Sequence, residues 1–186
     1  MRVAILLAVL LSAGTASAQE EELPSGKFGA FGAIRQNLGV LGQTYGNGWM
    51  MGIDAHYQPI RPGLNWSVGL AWSVAVIGRF GADDPMVADS PLKIVEMTGG
   101  LRLRRALGDT APQFLFATGG GAVLRTNVPV PPDDKRMYYG GYGGLGFERY
   151  AHFLGRSLLS FEARYSLLGQ GPSSVTVLFG IGWGSQ

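Results

Sequence analysis

Large apolar residues alternate with small or polar residues, at a period of two, through much of this chain. The longest such run lies between residues 64 and 76. One of its faces carries Leu64, Trp66, Val68, Leu70, Trp72, Val74 and Val76, and the other carries Asn65, Ser67, Gly69, Ala71, Ser73 and Ala75. Successive side chains of a β-strand point to opposite faces, whereas a helix would scatter these residues around its axis. The alternation therefore predicts β-structure with one apolar face.

Segments of this kind, separated by turn-forming residues, continue from residue 26 to the end of the chain. We predict strands at 26–37, 47–58, 63–78, 91–105, 112–125, 136–150, 156–168 and 173–184. Most exceed the ~5–6 residues of an ordinary globular strand and reach the ~9–11 residues that a tilted strand needs to cross a bilayer. The predicted fold is all-β, an eight-stranded antiparallel up-and-down transmembrane β-barrel.

The size of the side chains indicates which face of this barrel points outwards. Where the alternation is clear, the large rings all fall on the apolar face: Trp49, Tyr57, Trp66, Trp72, Phe161, Tyr165, Phe179 and Trp183. An eight-stranded barrel is only wide enough inside for its own side chains, so these rings would overfill it. We therefore expect them to face lipid. The alternative is a soluble, lipocalin-like binding barrel of the periplasm with the apolar face inside. The first, fifth and sixth segments are too rich in glycine and alanine for their faces to be assigned.

The first 25 residues have the features of an export signal followed by a short lead. Arg2 precedes an apolar run over residues 3–11, and Ala16-Ser17-Ala18 matches a small-residue cleavage site. The run is too short for a spanning helix, which needs ~20 apolar residues. We predict a cleaved signal peptide at 1–18, a periplasmic lead at 19–25 and a barrel at 26–186. An exported chain with a lipid-facing barrel belongs in the outer membrane of a Gram-negative cell.

The lengths of the connections predict the orientation of the barrel. The links at 38–46, 79–90 and 126–135 are longer than those at 59–62, 106–111 and 151–155. Outer-membrane barrels have short periplasmic turns and longer extracellular loops. We therefore expect both termini in the periplasm and the three long links outside the cell.

The last three segments resemble a known family. They read YGGLGFERY over Tyr142–Tyr150, SFEARYSLL over Ser160–Leu168 and VTVLFGIGW over Val175–Trp183. These stretches are similar to the final strands of small outer-membrane β-barrel domains of the OmpA/OmpX type, and the rest of the chain matches that family by pattern. The resemblance implies the barrel fold and the outer membrane, and it points to no single activity.

Charged residues on the small, polar face are the candidate functional residues. Those that fall on this inward face are Asp54, His56, Glu96, Arg102, Arg104, Glu162 and Arg164, with Arg35 and Glu148 as further candidates. Burying one charge alone is costly, so these residues should pair. We predict a salt-bridge network that closes the lumen, and the alternative is a gate or an ion path.

Aromatic residues near the strand ends predict two girdles at the membrane interfaces, where indole and phenol rings favour the headgroup level. We assign Tyr57, Trp66, Phe147 and Trp183 to the periplasmic girdle and Trp49, Tyr139 and Tyr165 to the opposite one.

The expected function is structural or surface-interacting, without catalysis, and it is carried by the loops at 79–90 and 126–135. Expected partners are membrane lipid and lipopolysaccharide, together with the barrel-assembly machinery and periplasmic chaperones during biogenesis. The net charge of +2 gives no basic field for nucleic acid, and the absence of cysteine excludes a thiolate metal site. We expect neither a metal site nor a cofactor.

A second hypothesis is a lipid-modifying enzyme, since some eight-stranded outer-membrane barrels deacylate or acylate lipid A. It would use His56 with Asp54, which shares its face, and Ser67 on the next strand. A base must lie within hydrogen-bond reach of its nucleophile, so this hypothesis depends on the distance between His56 and Ser67.

Overall fold

Eight strands make up nearly all of the described part of the chain. The computed structural model describes residues 26–39, 42, 46–57, 66–79, 94–107, 113–130, 135–151, 157–169 and 173–185, so the predicted signal peptide and lead lie outside the described residues. The strands are β1 (Gly26–Leu38), β2 (Gly48–Tyr57), β3 (Trp66–Arg79), β4 (Ile94–Ala106), β5 (Gln113–Val130), β6 (Lys135–Ala151), β7 (Ser157–Leu168) and β8 (Ser173–Ser185).

The strands form a closed antiparallel barrel. Each strand pairs with its neighbours in the sequence, and β1 pairs with β8 to close the sheet. Residue pairing followed once around the barrel from Lys27 returns to β1 at Asn37, a shift of ten residues from position 27 to position 37. With ordinary strand spacing, this stagger gives a strand tilt of about 40° and a backbone radius of about 8 Å. The predicted eight-stranded barrel is confirmed, and its interior is narrow.

The fifth and sixth strands are longer than the sequence predicted. The link expected at 126–135 is mostly strand, because β5 continues to Val130 and Val130 pairs with Lys135 across a register shift. The β-branched residues at 126, 128 and 130 favour an extended chain. Proline has no backbone N–H to donate to a neighbouring strand. Pro129 is tolerated in β5 because β4 begins at Ile94, which pairs with Thr126, so no described residue of β4 lies beside Pro129. The expected loop is therefore a strand hairpin that rises above the barrel, with only 131–134 between the strands. The other expected loop, 79–90, begins at the last residue of β3 and otherwise lies outside the described residues.

The outer surface of the barrel is apolar. Large hydrophobic side chains are exposed on all eight strands, among them Phe28, Trp49, Trp66, Leu101, Leu115, Leu145, Phe161 and Phe179. A continuous apolar surface of this extent does not suit water and suits the hydrocarbon of a bilayer. The expected outward orientation of the apolar face is what the structure has, and a soluble barrel with an apolar interior does not fit it. Among the described residues, no helix is long and apolar enough to span a membrane.

The three strands whose faces the sequence left open also place rings inside the barrel. Phe31, Phe114, Phe116, Tyr138 and Tyr142 are buried, so the argument that large rings belong outside holds only for the other strands. Glycines make the space. A methyl group on Gly146 would clash with the Phe116 ring, which lies on the neighbouring strand. Inward glycines thus let a narrow lumen hold aromatic side chains.

Candidate functional site: the charged lumen

The lumen has two ends that the strand connections distinguish. We call the end at which β1–β2, β3–β4, β5–β6 and β7–β8 are joined the loop end. The other end, where Gly26 and Ser185 lie, is the terminal end.

All seven predicted lumen residues point inwards. His56, Glu96, Arg102, Arg104, Glu162 and Arg164 are buried, and Asp54 is half-buried. The two further candidates, Arg35 and Glu148, are fully buried. The structure adds Lys27, which is 3% exposed. Sequence reasoning missed Lys27 because β1 has few large side chains to mark its faces. Its even spacing from Arg35 would have placed the two cations on one face.

The cluster nearest the loop end, which we call the loop-side cluster, consists of Arg35, Asn37 and Glu96. The guanidinium of Arg35 forms an ion pair with Glu96, and both side chains are buried. Arg35 Nε donates to Oδ1 of Asn37 at 2.9 Å, and Asn37 Nδ2 donates to the carbonyl of Gly46 at 2.9 Å. The ion pair thus links β1 to β4. Asn37 links β1 to the backbone of Gly46, which lies just before β2.

A second cluster, which we call the central cluster, surrounds Arg164 and Glu162. Arg164 binds both carboxylate oxygens of Glu162, with Nε–Oε1 at 2.8 Å and Nη2–Oε2 at 3.2 Å. Its Nη1 donates to Oγ of Ser73 at 3.3 Å, and the ring of Tyr142 lies 4.9 Å from its Cζ. Thr118 donates to Glu162 at 3.2 Å. A two-oxygen contact of this kind is strong and directional, so this cluster has a fixed arrangement in the middle of the lumen.

The cluster at the terminal end, which we call the terminal cluster, combines ion pairs with aromatic rings. Its members are Lys27, Asp54, His56, Arg102, Arg104, Phe114, Phe116, Glu148, Tyr150 and Ser160. Lys27 Nζ lies 3.0 Å from Oδ2 of Asp54 and 3.2 Å from Oγ of Ser160.

The two arginines of the terminal cluster lie against rings. Arg102 pairs with Glu148 and stacks over Phe116, with its Cζ 3.5 Å from the ring centroid. Arg104 lies 4.2 Å from the centroid of Phe114 and hydrogen-bonds Tyr150.

The arrangement proposed for catalysis is not present. His56 pairs with Ala71 on β3, whereas Ser67 lies four residues further along that strand, opposite Arg104. At ~3.3 Å per residue this separates Ser67 from His56 by about 13 Å along the strand. Lys27 Nζ lies 3.2 Å from Oγ of Ser160, but it is also paired with Asp54 at 3.0 Å. Among the described residues, no group of three or more histidine, aspartate or glutamate side chains suits a metal ion.

The predicted girdle residues lie on the outer surface near the strand ends. Tyr57 ends β2 and Trp66 begins β3, and both are at least half exposed; Trp183 lies near the same end, on β8. Trp49, Tyr139 and Tyr165 are exposed toward the loop end, and Phe147 is half-buried toward the terminal end. The structure adds Phe28 and Arg105 at the terminal end. Arg105 lies over the Trp66 ring, 5.1 Å from its centroid.

These features together define a class of protein. A closed, eight-stranded, antiparallel barrel with an apolar exterior and a polar, packed lumen is the fold of small outer-membrane barrel proteins.

Comparison with solved structures agrees with this class. The chain is similar to Neisserial surface protein A, with a TM-score of 0.59 and 13% identity over 87% of this chain and 97% of that one. It is also similar to Ail, the attachment invasion locus protein of Yersinia pestis, with a TM-score of 0.53 and 11% identity over 87% of this chain and 99% of that one. At these identities the likeness shows the fold. No protein-family model and no curated protein matches the sequence.

Proposed function

We propose that this chain is an exported outer-membrane protein with a closed lumen, and that its loop end acts as a surface that binds lipopolysaccharide. The apolar exterior supports membrane insertion, and residues 1–18 support export. With the terminal end in the periplasm, the loop end and the links predicted at 79–90 and 126–135 face the cell exterior. Catalysis is not part of the proposal, because Ser67 lies about 13 Å along β3 from the residue that pairs with His56.

The closed lumen is supported by three layers of paired charges within a radius of about 8 Å. The loop-side, central and terminal clusters each contain at least one buried ion pair. The rings of Phe31 and Tyr142 are also buried inside the barrel. A lumen filled in this way offers no wide aqueous path, so the outer rim is the surface left for interaction.

The observation that carries the proposal is a set of cations directly above the aromatic belt at the loop end. Arg125 is outward and exposed and pairs with Met137, two residues beyond the exposed Tyr139. Lys135 and Arg136 follow on the same hairpin and are exposed. Tyrosine marks the headgroup level, so these cations lie at the level of the lipid phosphates. Arginine binds phosphate oxygens in a two-point contact, and lipopolysaccharide supplies such phosphates in the outer leaflet.

The test is the thermal stability of the refolded barrel in vesicles of phospholipid with and without lipopolysaccharide. We expect lipopolysaccharide to raise the unfolding temperature of the unmodified chain. The double variant Arg125→Gln/Arg136→Gln should lose most of this increase. Arg105→Gln removes an exposed outward cation at the opposite end and should keep it. Equal stabilisation of all three proteins, or stabilisation by any anionic phospholipid, contradicts the proposal.

Two further measurements test the rest of the proposal. In cell-envelope fractions, the unboiled protein should migrate differently from the boiled protein and should be found with the outer membrane. In planar bilayers the refolded barrel should show no steady conductance. A soluble periplasmic protein or a stable open channel would contradict the proposed location or the closed lumen respectively. Dependence of insertion on the barrel-assembly machinery and periplasmic chaperones is expected for any protein of this class.

A further inference from the structure

The exposed methionines of the described outer surface lie at different heights along the barrel. Met51, Met97 and Met137 are 62%, 53% and 44% exposed, whereas Met50 is buried in the lumen. A thioether is a soft, polarisable group that oxidants convert to the sulfoxide, and its exposure to those oxidants governs the rate. The height of each methionine relative to the bilayer therefore decides whether an oxidant dissolved in water can reach it.

The pairing register gives these heights. The row of paired residues that starts at Lys27 on β1 returns to that strand at Asn37, nearer the loop end. Each row therefore climbs toward the loop end from β1 to β8. With strands about 4.8 Å apart and tilted by about 40°, each step to the next strand raises the row by about 3 Å. Met51 and Met137 share one row, in which Met137 lies four strands later, so Met51 is about 12 Å further from the loop end.

Met97 lies at nearly the same depth as Met51. Its row passes through Val123 to Tyr139 on β6, and these two steps raise the row by about 6 Å. Met137 lies two residues beyond Tyr139 along the tilted strand, which adds about 5 Å. Because Tyr139 marks the headgroup level, the other two methionines lie within the hydrocarbon, while Met137 lies in the headgroup layer beside water.

Two polar side chains lie beside the sulfur of Met137. The hydroxyl of Tyr139 donates to its Sδ at 3.8 Å. Arg125 pairs with Met137 across the hairpin, and both side chains are exposed on the outer face. Directly opposed side chains have Cβ atoms about 5 Å apart, which is within reach of a guanidinium. A thioether is a weak acceptor, whereas the oxygen of a sulfoxide is polar and can accept from both donors.

We propose that Met137 is a modification site that peroxides oxidise from the cell exterior. The sulfur lone pair forms a bond to one peroxide oxygen as the O–O bond breaks, and the proton of that oxygen moves to the departing one. Methionine is oxidised by two electrons to the sulfoxide, and hydrogen peroxide is reduced to water. The new oxygen accepts hydrogen bonds from Tyr139 and Arg125. It thereby competes with lipid phosphate for Arg125, a consequence that rests on the lipopolysaccharide site proposed above.

The first experiment maps oxidation of the refolded barrel in phospholipid bilayer discs, which leave both ends of the barrel open to solution. The probe is peroxymonosulfate, a charged peroxide that hydrocarbon excludes. Peptide mass spectrometry follows each methionine separately, in a Met86→Leu background that removes the methionine of the predicted link at 79–90. Met137 should be oxidised about tenfold or more faster than Met51 and Met97. In denaturant the three rates should become equal, and equal rates in the discs overturn the proposal.

The second experiment measures the consequence of oxidation. The increase in unfolding temperature that lipopolysaccharide produces is compared before and after peroxymonosulfate treatment, again in the Met86→Leu background. Treatment should remove much of this increase from the background chain and from its Met97→Leu variant, and none from its Met137→Leu variant.

Two results contradict competition for Arg125. They are an undiminished increase in the treated background chain, and an equal loss in the Met137→Leu variant. If lipopolysaccharide fails to stabilise even the untreated chain, the proposed lipopolysaccharide site is wrong, and the peptide map alone then decides whether Met137 is the modification site.

Discussion

The two halves of the lumen bury similar charges by different means. In the loop half, Arg164 is held by both oxygens of Glu162 and by the hydroxyl of Ser73. In the terminal half, Arg102 and Arg104 lie on aromatic rings, and each keeps an Nε without a partner among the described residues. Hydroxyl and carboxylate oxygens accept from the N–H groups of Arg164, whereas the rings cover the faces of Arg102 and Arg104. Arg35 in the loop half also keeps its Nη2 without a partner among the described residues. The comparison shows that oxygen acceptors hold Arg164 in the loop half, whereas ring contacts hold much of Arg102 and Arg104 in the terminal half.

The small residues that line each half accompany this difference, although inward glycine occurs in both halves, as at Gly144 beside Glu162. The central cluster is surrounded by hydroxyl side chains, including Thr98, which shares a hydrogen bond of 2.7 Å with Ser73. The terminal half has glycine in comparable inward positions, such as Gly146 and Gly182, whose missing side chains make room for Phe116 and for the stem of Lys27. Hydroxyls complete a hydrogen-bond network, while glycines admit larger neighbours.

Loss of the central ion pair should produce the largest effect on stability. Glu162→Met leaves Arg164 buried without its main partner, and breaking such a pair costs about 3–5 kcal/mol of unfolding free energy. Denaturant unfolding of the barrel in detergent or lipid measures this change. The control is Glu162→Met/Arg164→Met, which removes both charges and should regain most of the loss. A stable single variant would show that Arg164 is held by its other contacts, and the loop half would then not be a charge-dependent plug.

The sequence predicted the faces of some strands well because their alternation is local. Glu162 and Arg164 lie inward on β7, as their spacing from the large residues at 161 and 165 requires. Their surroundings could not be predicted, because Ser73 reaches Arg164 from 91 residues away. In the same way, the inward position of Phe116 depends on Gly146 across the strand pair. The pairing register between strands determines which side chains meet in this way, and the sequence of a single strand does not reveal that register.

Adding a methyl group in the terminal half should give the next largest effect. Gly146→Ala places a Cβ against the Phe116 ring, and overpacking of a filled interior costs about 1–3 kcal/mol. The matched control is Gly99→Ala. It lies on the outer face with no atom within 4 Å of the added group, so it should be neutral or stabilise by less than about 1 kcal/mol. If the two variants changed the unfolding free energy equally, the position of the Phe116 ring would not depend on the missing side chain of Gly146.

The smallest effect is expected at the ion pair of the terminal half. Asp54→Asn removes one charge with little change of shape, and Lys27 retains its hydrogen bond to Ser160. Because the Asp54 side chain is 21% exposed, solvent screens its charge, and the side-chain oxygen of asparagine can still accept a hydrogen bond from Lys27. The loss should therefore be about 1 kcal/mol or less. The same denaturant-unfolding measurement compares the loss of stability in this variant with that in Glu162→Met. A loss as large as that of Glu162→Met would mean that Lys27 depends on the charge of Asp54 as strongly as Arg164 depends on Glu162. The two halves of the lumen would then not differ in how they hold their cations.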